Sequence, residues 1–406
     1  MKGRRVRIAR WAVLGLLVAA LSVVAAGCGG GDDEEGSGGV STEVEGLGTS
    51  LEEIQELARE EGEVNVVQWA GYAQLVDEFA TETGCKVNTK DGGSSDDMIS
   101  LIQTGAYDGV SASGNASVRL MTTGEVAPVN TDFIPNYADV EEGIKNQDYN
   151  SLDDQPYGVP HGRGPNYLMF RSDIVPADTD SWSVVFEEEG QQEYAGKISI
   201  YDDSIFIADA AVYLKATQPD LGIDNPYQLN EEQFDAAVDL LKKQTAADLN
   251  YWDGGTVAKQ IAEYTNGDSV VGTTWPYMYV QLTAADPPVP VTAIKPTEGT
   301  TGWSDTWMLY SKAENPNCMY LWMNHMISPE AQAAVAEGFG EAPVNLAACE
   351  LTKDESHCDT YHADDEAWWE DVYYWTTPVE DCADDDDGTT CKTQEDWEAA
   401  WTEIKG

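Results

Sequence analysis

The apolar spacing predicts an α/β protein with a mostly parallel sheet and enough chain for two domains. Strand-like and helix-like stretches alternate from residue 50 onward, the pattern of βαβ units. Tryptophans and small polar residues recur just past the strand ends, where open α/β sheets bind ligands. About 355 residues follow a tether-like stretch at 28–49 with almost nothing apolar to bury, which is length for two domains.

In order, SLEEIQELARE sets Leu51, Ile54, Leu57 and Ala58 at helical spacing, with Ser50 and Glu53 as a capping box. EVNVVQW alternates Val64 and Val66 like a strand and ends in Trp69, and LVDEFATETG is an amphipathic helix stopped at Gly84. CKVNTK reads as strand, SSDDMISLIQTG as helix and YDGVSAS as strand. Farther on, NEEQFDAAVDLLKKQ places Phe234, Val238 and Leu241 on one helix face. TVAKQIAEYTNGD leads into DSVVGTTW, a strand ending at Trp275. NPNCMYLWMNHMI and SPEAQAAVAEGFG follow as two helices, the second with Ser328 as cap and Pro329 in its first turn. Past Leu351 the chain is rich in aromatics and acids, and the pattern assigns it to neither domain.

The chain begins with Lys2, Arg4, Arg5, Arg7 and Arg10, then a 16-residue apolar run over 11–26 that is short for a membrane span. Residues 1–27 read as an export leader. Cys28, after Ala25, Ala26 and Gly27, resembles the lipidated cysteine of a bacterial lipobox, with Ala25 where a bulky Leu is usual. Residues 28–49, rich in Gly, Ser and acids, read as a flexible tether. The expected location is the outer face of the cytoplasmic membrane, held by lipid alone.

Lys and Arg number 22 against 73 Asp and Glu, a net charge of −51 that becomes −56 without the leader. That field repels nucleic acid and anionic headgroups. Its plain reading is a strongly hydrated surface; the sharper one is an attractor for cations. Besides Cys28 there are six cysteines, an even number in an exported chain and so three disulfides. Short loops suggest Cys349–Cys358 and Cys382–Cys391, leaving Cys85–Cys318, although six cysteines allow fifteen pairings. Zinc is the competitor, because His357 and His362 lie beside Cys349 and Cys358.

Several stretches, taken together, resemble the spermidine/putrescine-binding group of ABC-importer substrate-binding proteins: VVQWAGYAQLVDEFATETGCKV, GAYDGVSAS, QPYGVPHGRG, YAGKISIYDD, NGDSVVGTTW, GWSDTW and SPEAQAAVAEGFGEAPVN. The likeness runs over about residues 62–348. It implies a type II periplasmic-binding-protein-like fold, two α/β lobes on a hinge that close over a ligand and dock on permease subunits. Lobe 1 would take 50–160 and 303–350, lobe 2 would take 161–302, and 351–406 would be a disulfide-stapled C-terminal segment. A monomer is expected, with no cofactor and no metal.

The resemblance also implies a site. Trp69 and Tyr72 match the family's first aromatic pair, Ser113 its polar contact, Asp203 an acid, Trp275 the next ring, and Trp303 with Asp305 a ring and the amine-holding carboxylate. The chemistry fits independently: a buried ammonium needs a counter-charge, and an indole face attracts a cation while covering methylenes. Trp307 is expected to face the core instead. There are departures from the family pattern. Phe206 replaces a second acid, Ala70-Gly71 a polar pair, and Glu341 stands where an aromatic is usual, so a carboxylate is expected across the cleft there. Arg163 either faces the ligand or pairs with an acid between lobes. The expected ligand is a small amine, first a polyamine, with an amine-bearing zwitterion as rival. Two other classes compete. No catalytic motif marks an enzyme, although tryptophans and carboxylates also line glycosidase clefts. The loop DCADDDDGTTC could take calcium but lacks EF-hand spacing.

Overall fold

Ten consecutive residues, Thr300–Leu309, form a strand buried along its whole length, and GWSDTW lies in its middle. In this computed structural model, which describes residues 44–382 and 389–406, that strand is the centre of a seven-stranded sheet. The expected leader, Cys28, most of the tether and the middle of the acidic loop lie outside the described residues. On one side of the central strand run Gly109–Ala112, Glu63–Gln68 and Lys86–Asp91; on the other run Gly158–Pro165 and Ala342–Pro343. Val372–Tyr374 pairs with its first three residues. A second sheet has the order Val291–Ile294, Tyr167–Arg171, Val271–Thr274, Ile198–Tyr201, Asn250–Trp252.

The sheets are mixed rather than mostly parallel. The βαβ units pair in parallel, Glu63–Gln68 with Lys86–Asp91 and with Gly109–Ala112, and Ile198–Tyr201 with both its neighbours. Strands that carry the chain between the sheets, Gly158–Pro165, Tyr167–Arg171, Val291–Ile294 and Thr300–Leu309, enter antiparallel. Strand direction across a crossover leaves no local periodicity, so the pattern could not report it.

The chain passes from the first sheet to the second at Asn166 and returns between Ile294 and Thr300. The breaks expected after residues 160 and 302 therefore fall inside strands. VPHGRG has a linker's glycines, but here glycine admits a neighbour: a Cβ on Gly164 would lie 2.3 Å from Trp303 Cζ2. At the passage Asn166 N–H donates to the Thr301 carbonyl at 2.8 Å, and Thr301 Oγ1 donates to Asp209 Oδ1 at 2.9 Å. Burial raises the Asp209 pKa to about 7. A carboxyl whose folded pKa lies above its unfolded value contributes stability at low pH that is lost as pH rises from near 4 through 7. Asp209→Asn is therefore expected to raise the melting temperature by a few degrees at pH 8 and leave it unchanged at pH 4. An equal shift at both pH values in a thermal melt would contradict that assignment.

Helix Leu51–Glu61 carries half of the expected capping box. Ser50 Oγ accepts from Glu53 N, but Glu53 Oε2 turns to Thr49 N at 2.8 Å instead of closing on Ser50. Three disulfides form, Cys85–Cys318, Cys349–Cys358 and Cys382–Cys391. Cys349 and Cys358 are thus spent as disulfide rather than zinc ligands; His357 Nε2 meets the Glu341 carbonyl at 2.9 Å and His362 stacks on Trp368. The C-terminal segment, which sequence left unassigned, touches both sheets' sides. Val372–Tyr374 pairs with Thr300–Gly302, and helix Gln394–Lys405 packs on helix Glu231–Gln244 through Trp397 against Phe234.

Candidate functional site

Strand ends supply most of the walls of one cavity. Trp69 follows Glu63–Gln68, Ser113 follows Gly109–Ala112, and Trp275 follows Val271–Thr274 as the residue capping helix Pro276–Thr283. Trp303 and Asp305, two residues apart on one strand, share a face. Phe339 ends helix Pro329–Phe339. With Tyr72 and Trp375 these residues line one narrow cavity. Trp69 and Trp275 meet edge-on at 5.7 Å, shutting the first sheet's side against the second's. Phe339 meets Tyr72 at 5.0 Å and Trp303 at 5.4 Å, both edge-on. Edge contacts of this kind suit ring quadrupoles and hold each ring's orientation.

Asp305 is the only carboxylate in that lining. Its Oδ2 accepts from the Tyr72 hydroxyl at 2.7 Å, Oδ1 has no hydrogen-bond partner among the described residues, and the Ser113 hydroxyl also lies by the carboxyl. Burial pushes its pKa up to about 6, against the pull of those two hydroxyls. At neutral pH it is therefore mostly an anion, held in a place that penalises anions. Behind Tyr72 lies a second buried group. Strand Gly158–Pro165 presents both His161 and Gly162 where its partner presents Asp305 alone, a bulge beside the site. His161 packs its ring on Tyr72 at 4.0 Å, and its Nδ1 accepts from Trp307 Nε1 at 2.9 Å. Indole only donates, so the neutral imidazole carries its proton on Nε2, 3.6 Å from Glu341 Oε1. Burial lowers the His161 pKa to about 3, while burial and then Asp305 raise Glu341 well above the carboxylate range. Both groups are neutral at pH 7, which leaves Asp305 as the negative charge at the cavity.

Of the residues named from sequence, Trp69, Tyr72, Ser113, Trp275, Trp303 and Asp305 come together around the cavity. Asp203 and Glu341 do not. Asp203 caps the turn Ser204–Phe206, accepting from Ile205 N at 3.0 Å. Glu341 lies against Gly162, fully buried, rather than across the cleft. Arg163 also stays out: it pairs with Glu141 at 2.9 Å and Glu366 at 3.1 Å and lies 4.5 Å over Trp369. Its partners come from the 141–144 turn and the C-terminal segment, not from the second sheet. Trp307 is in the core, edge-on to Trp322. Two lining residues, Phe339 and Trp375, are not among those the sequence points to. Phe339 had a signal, a ring just before the helix-stopping Gly340; Trp375 had none, because its segment carried no periodicity.

The sequence profile of the bacterial extracellular solute-binding proteins matches residues 74–367. The spermidine/putrescine-binding periplasmic protein of Escherichia coli K12 is 24% identical over 293 residues, 71% of this chain and 79% of that protein. A structure described as a spermidine/putrescine ABC transporter from Listeria monocytogenes superposes with a TM-score of 0.70 at 18% identity, covering 85% of this chain and 99% of that one. A GABA receptor superposes with a TM-score of 0.60 at 15% identity, covering 85% and 98%. The two mixed sheets with their helices are thus the type II periplasmic-binding-protein fold. With a profile match across most of its length and that fold around an aromatic-lined cavity, the chain belongs to the bacterial extracellular solute-binding proteins.

Proposed function

We propose that this protein captures a small organic amine between two lobes and delivers it to the permease of an ABC importer. The observation that carries the reading is Asp305, a fully buried anion inside rings and without a cation partner among the described residues. An ammonium group offsets the carboxylate's desolvation and is attracted in turn by the indole faces, about 2 kcal/mol for a desolvated cation–π contact. The polyamines named for the relatives are the reference ligands. The lobes are taken as the two sheets with their helices, hinged at residue 166 and at 295–299. Lipid on Cys28, a monomeric chain and an acidic tether complete the proposal: a receptor on the outer face of the membrane that reaches its permease by a leash.

Four tryptophans in one lining give the test its readout. Titrating the purified protein with putrescine, spermidine and γ-aminobutyrate should change tryptophan fluorescence saturably with at least one of them, while glucose and maltose should leave it flat. A response to sugars alone, or turnover of a chromogenic glycoside, would replace the amine reading with a carbohydrate one.

A further inference from the structure

We propose that Trp375, carried in by the C-terminal segment, limits the cleft to a short ligand with one ammonium nitrogen and a hydrogen-bond acceptor at its other end. This rests on the reading of the cleft as an ammonium site. Trp375 lies beyond the profile match, which ends at residue 367. It is held from three directions. Its N–H donates to the Gly302 carbonyl at 2.8 Å, next to the pairing of Val372–Tyr374 with Thr300–Gly302. Its own carbonyl lies where any side chain on Gly114 would begin, 1.6 Å from that Cβ position, so the segment is seated on the start of helix Gly114–Thr123. Thr377 Oγ1 donates to the Asn115 carbonyl at 3.1 Å and continues the seat. On the second sheet's side, the indole stacks on Tyr201 at 5.4 Å and meets Trp275 at 6.4 Å. A wall tied to both sheets' sides cannot swing away without undoing those contacts.

The remaining lining says what the wall leaves room for. A diamine brings a second positive nitrogen, and its burial needs a second anion. The lining offers Asp305 alone, with Glu341 neutral behind Tyr72 and Asp203 occupied as a cap. What it offers instead is donors. Trp69, Trp303 and Trp375 each have a buried Nε1 without a partner among the described residues. Indole N–H can only donate, so these groups complement a carboxylate, carbonyl or hydroxyl and oppose a second ammonium.

Putrescine and γ-aminobutyrate differ only at one end, so calorimetric titration with the pair isolates the point. The wild type, Trp375→Ala and Trp375→Phe are compared, with spermidine as the long probe and about 0.15 M salt to screen the acidic surface. The wild type should bind γ-aminobutyrate about tenfold or more tighter than putrescine, with no measurable spermidine binding. Trp375→Ala should narrow that ratio about tenfold and admit spermidine, whose further ammonium groups would then reach water past the missing wall rather than be buried without an anion. Trp375→Phe keeps a ring without the N–H, and should retain the length limit while losing part of the γ-aminobutyrate affinity. Polyamines binding tighter than γ-aminobutyrate to the wild type would overturn the proposal, as would an unchanged ratio in Trp375→Ala. If Trp375→Ala does not fold, the wild-type ratio and Trp375→Phe decide. Polyamine binding that disappears in Asp305→Asn would sink the length limit and keep the ammonium site. No binding of any amine would sink both.

Discussion

Asp305→Asn should weaken amine binding about 100- to 1,000-fold, the roughly 3–4 kcal/mol expected when one partner of a buried charge pair is removed. The geometry explains why so small a change costs so much. Asn keeps the shape and can still accept from the Tyr72 hydroxyl, which lies 2.7 Å from Oδ2 in the native site. What it removes is the anion, and with Glu341 and His161 both neutral no neighbour replaces it. The ligand-free protein should lose nothing. Folded Asp305 titrates near 6 against an ordinary 3.8, so its charge opposes folding as pH rises through that window, and Asn relieves the penalty above it. The same value sets the pH response of binding. Between pH 7.5 and 5 the wild-type affinity should fall about tenfold as the carboxylate protonates, while Asp305→Asn stays flat. Tyr72 and Glu341 face the same carboxylate but stay protonated throughout, because burial raises both. Calorimetry at three pH values measures this, and an affinity untouched by Asp305→Asn would take Asp305 out of the site.

The ends of strands were legible because they follow alternation, and alternation is local. Trp69, Ser113 and Trp275 could be placed just past strand ends from that alone; Trp303 and Asp305 were expected past a strand end too and named through the family resemblance, but they lie inside the strand Thr300–Leu309. What failed to show was whatever depends on a partner far along the chain. Glu341 was expected across the cleft, yet it folds back on Gly162, because the absent side chain at 162 opens a slot that only the paired strands reveal. Arg163 has cleft-facing chemistry, but its acids come from Glu141 and Glu366, 22 and 203 residues away. Asp203 looked like a ligand acid and is a turn cap, which a following Ser-Ile-Phe turn could have suggested. The breaks expected after residues 160 and 302 fall inside strands for a related reason. Glycines read as a linker when their neighbours are unknown, and Gly158–Pro165 is instead fully buried in the first sheet. Trp375 is the extreme case: a ring in an acidic, unpatterned segment that becomes a wall only once Val372–Tyr374 finds a strand 72 residues earlier.

Removing the Cys85–Cys318 bridge should lower the unfolding free energy by about 5 kcal/mol, against about 3 kcal/mol for either short loop, since the constraint on the unfolded chain grows with loop length. The bridge closes 233 residues of chain, the other two close nine each. Cys85 leads into the edge strand Lys86–Asp91 and Cys318 sits in helix Pro316–Met326, so the enclosed loop contains the whole second sheet. Both sulfurs are fully buried, with Ala58 O beside each. Dithiothreitol should therefore leave this bridge intact in folded protein and cut it only in denaturant, where urea unfolding of Cys85→Ala/Cys318→Ala reads the difference. Affinity is the informative control. The bridge joins two parts of one side of the cleft and neither passage between the sheets, so the double variant should bind amine as the wild type does. Lost affinity in a variant that remains folded at the assay temperature would mean that the bridge also sets the distance between Tyr72 and Asp305, which lie on the two stretches it ties together.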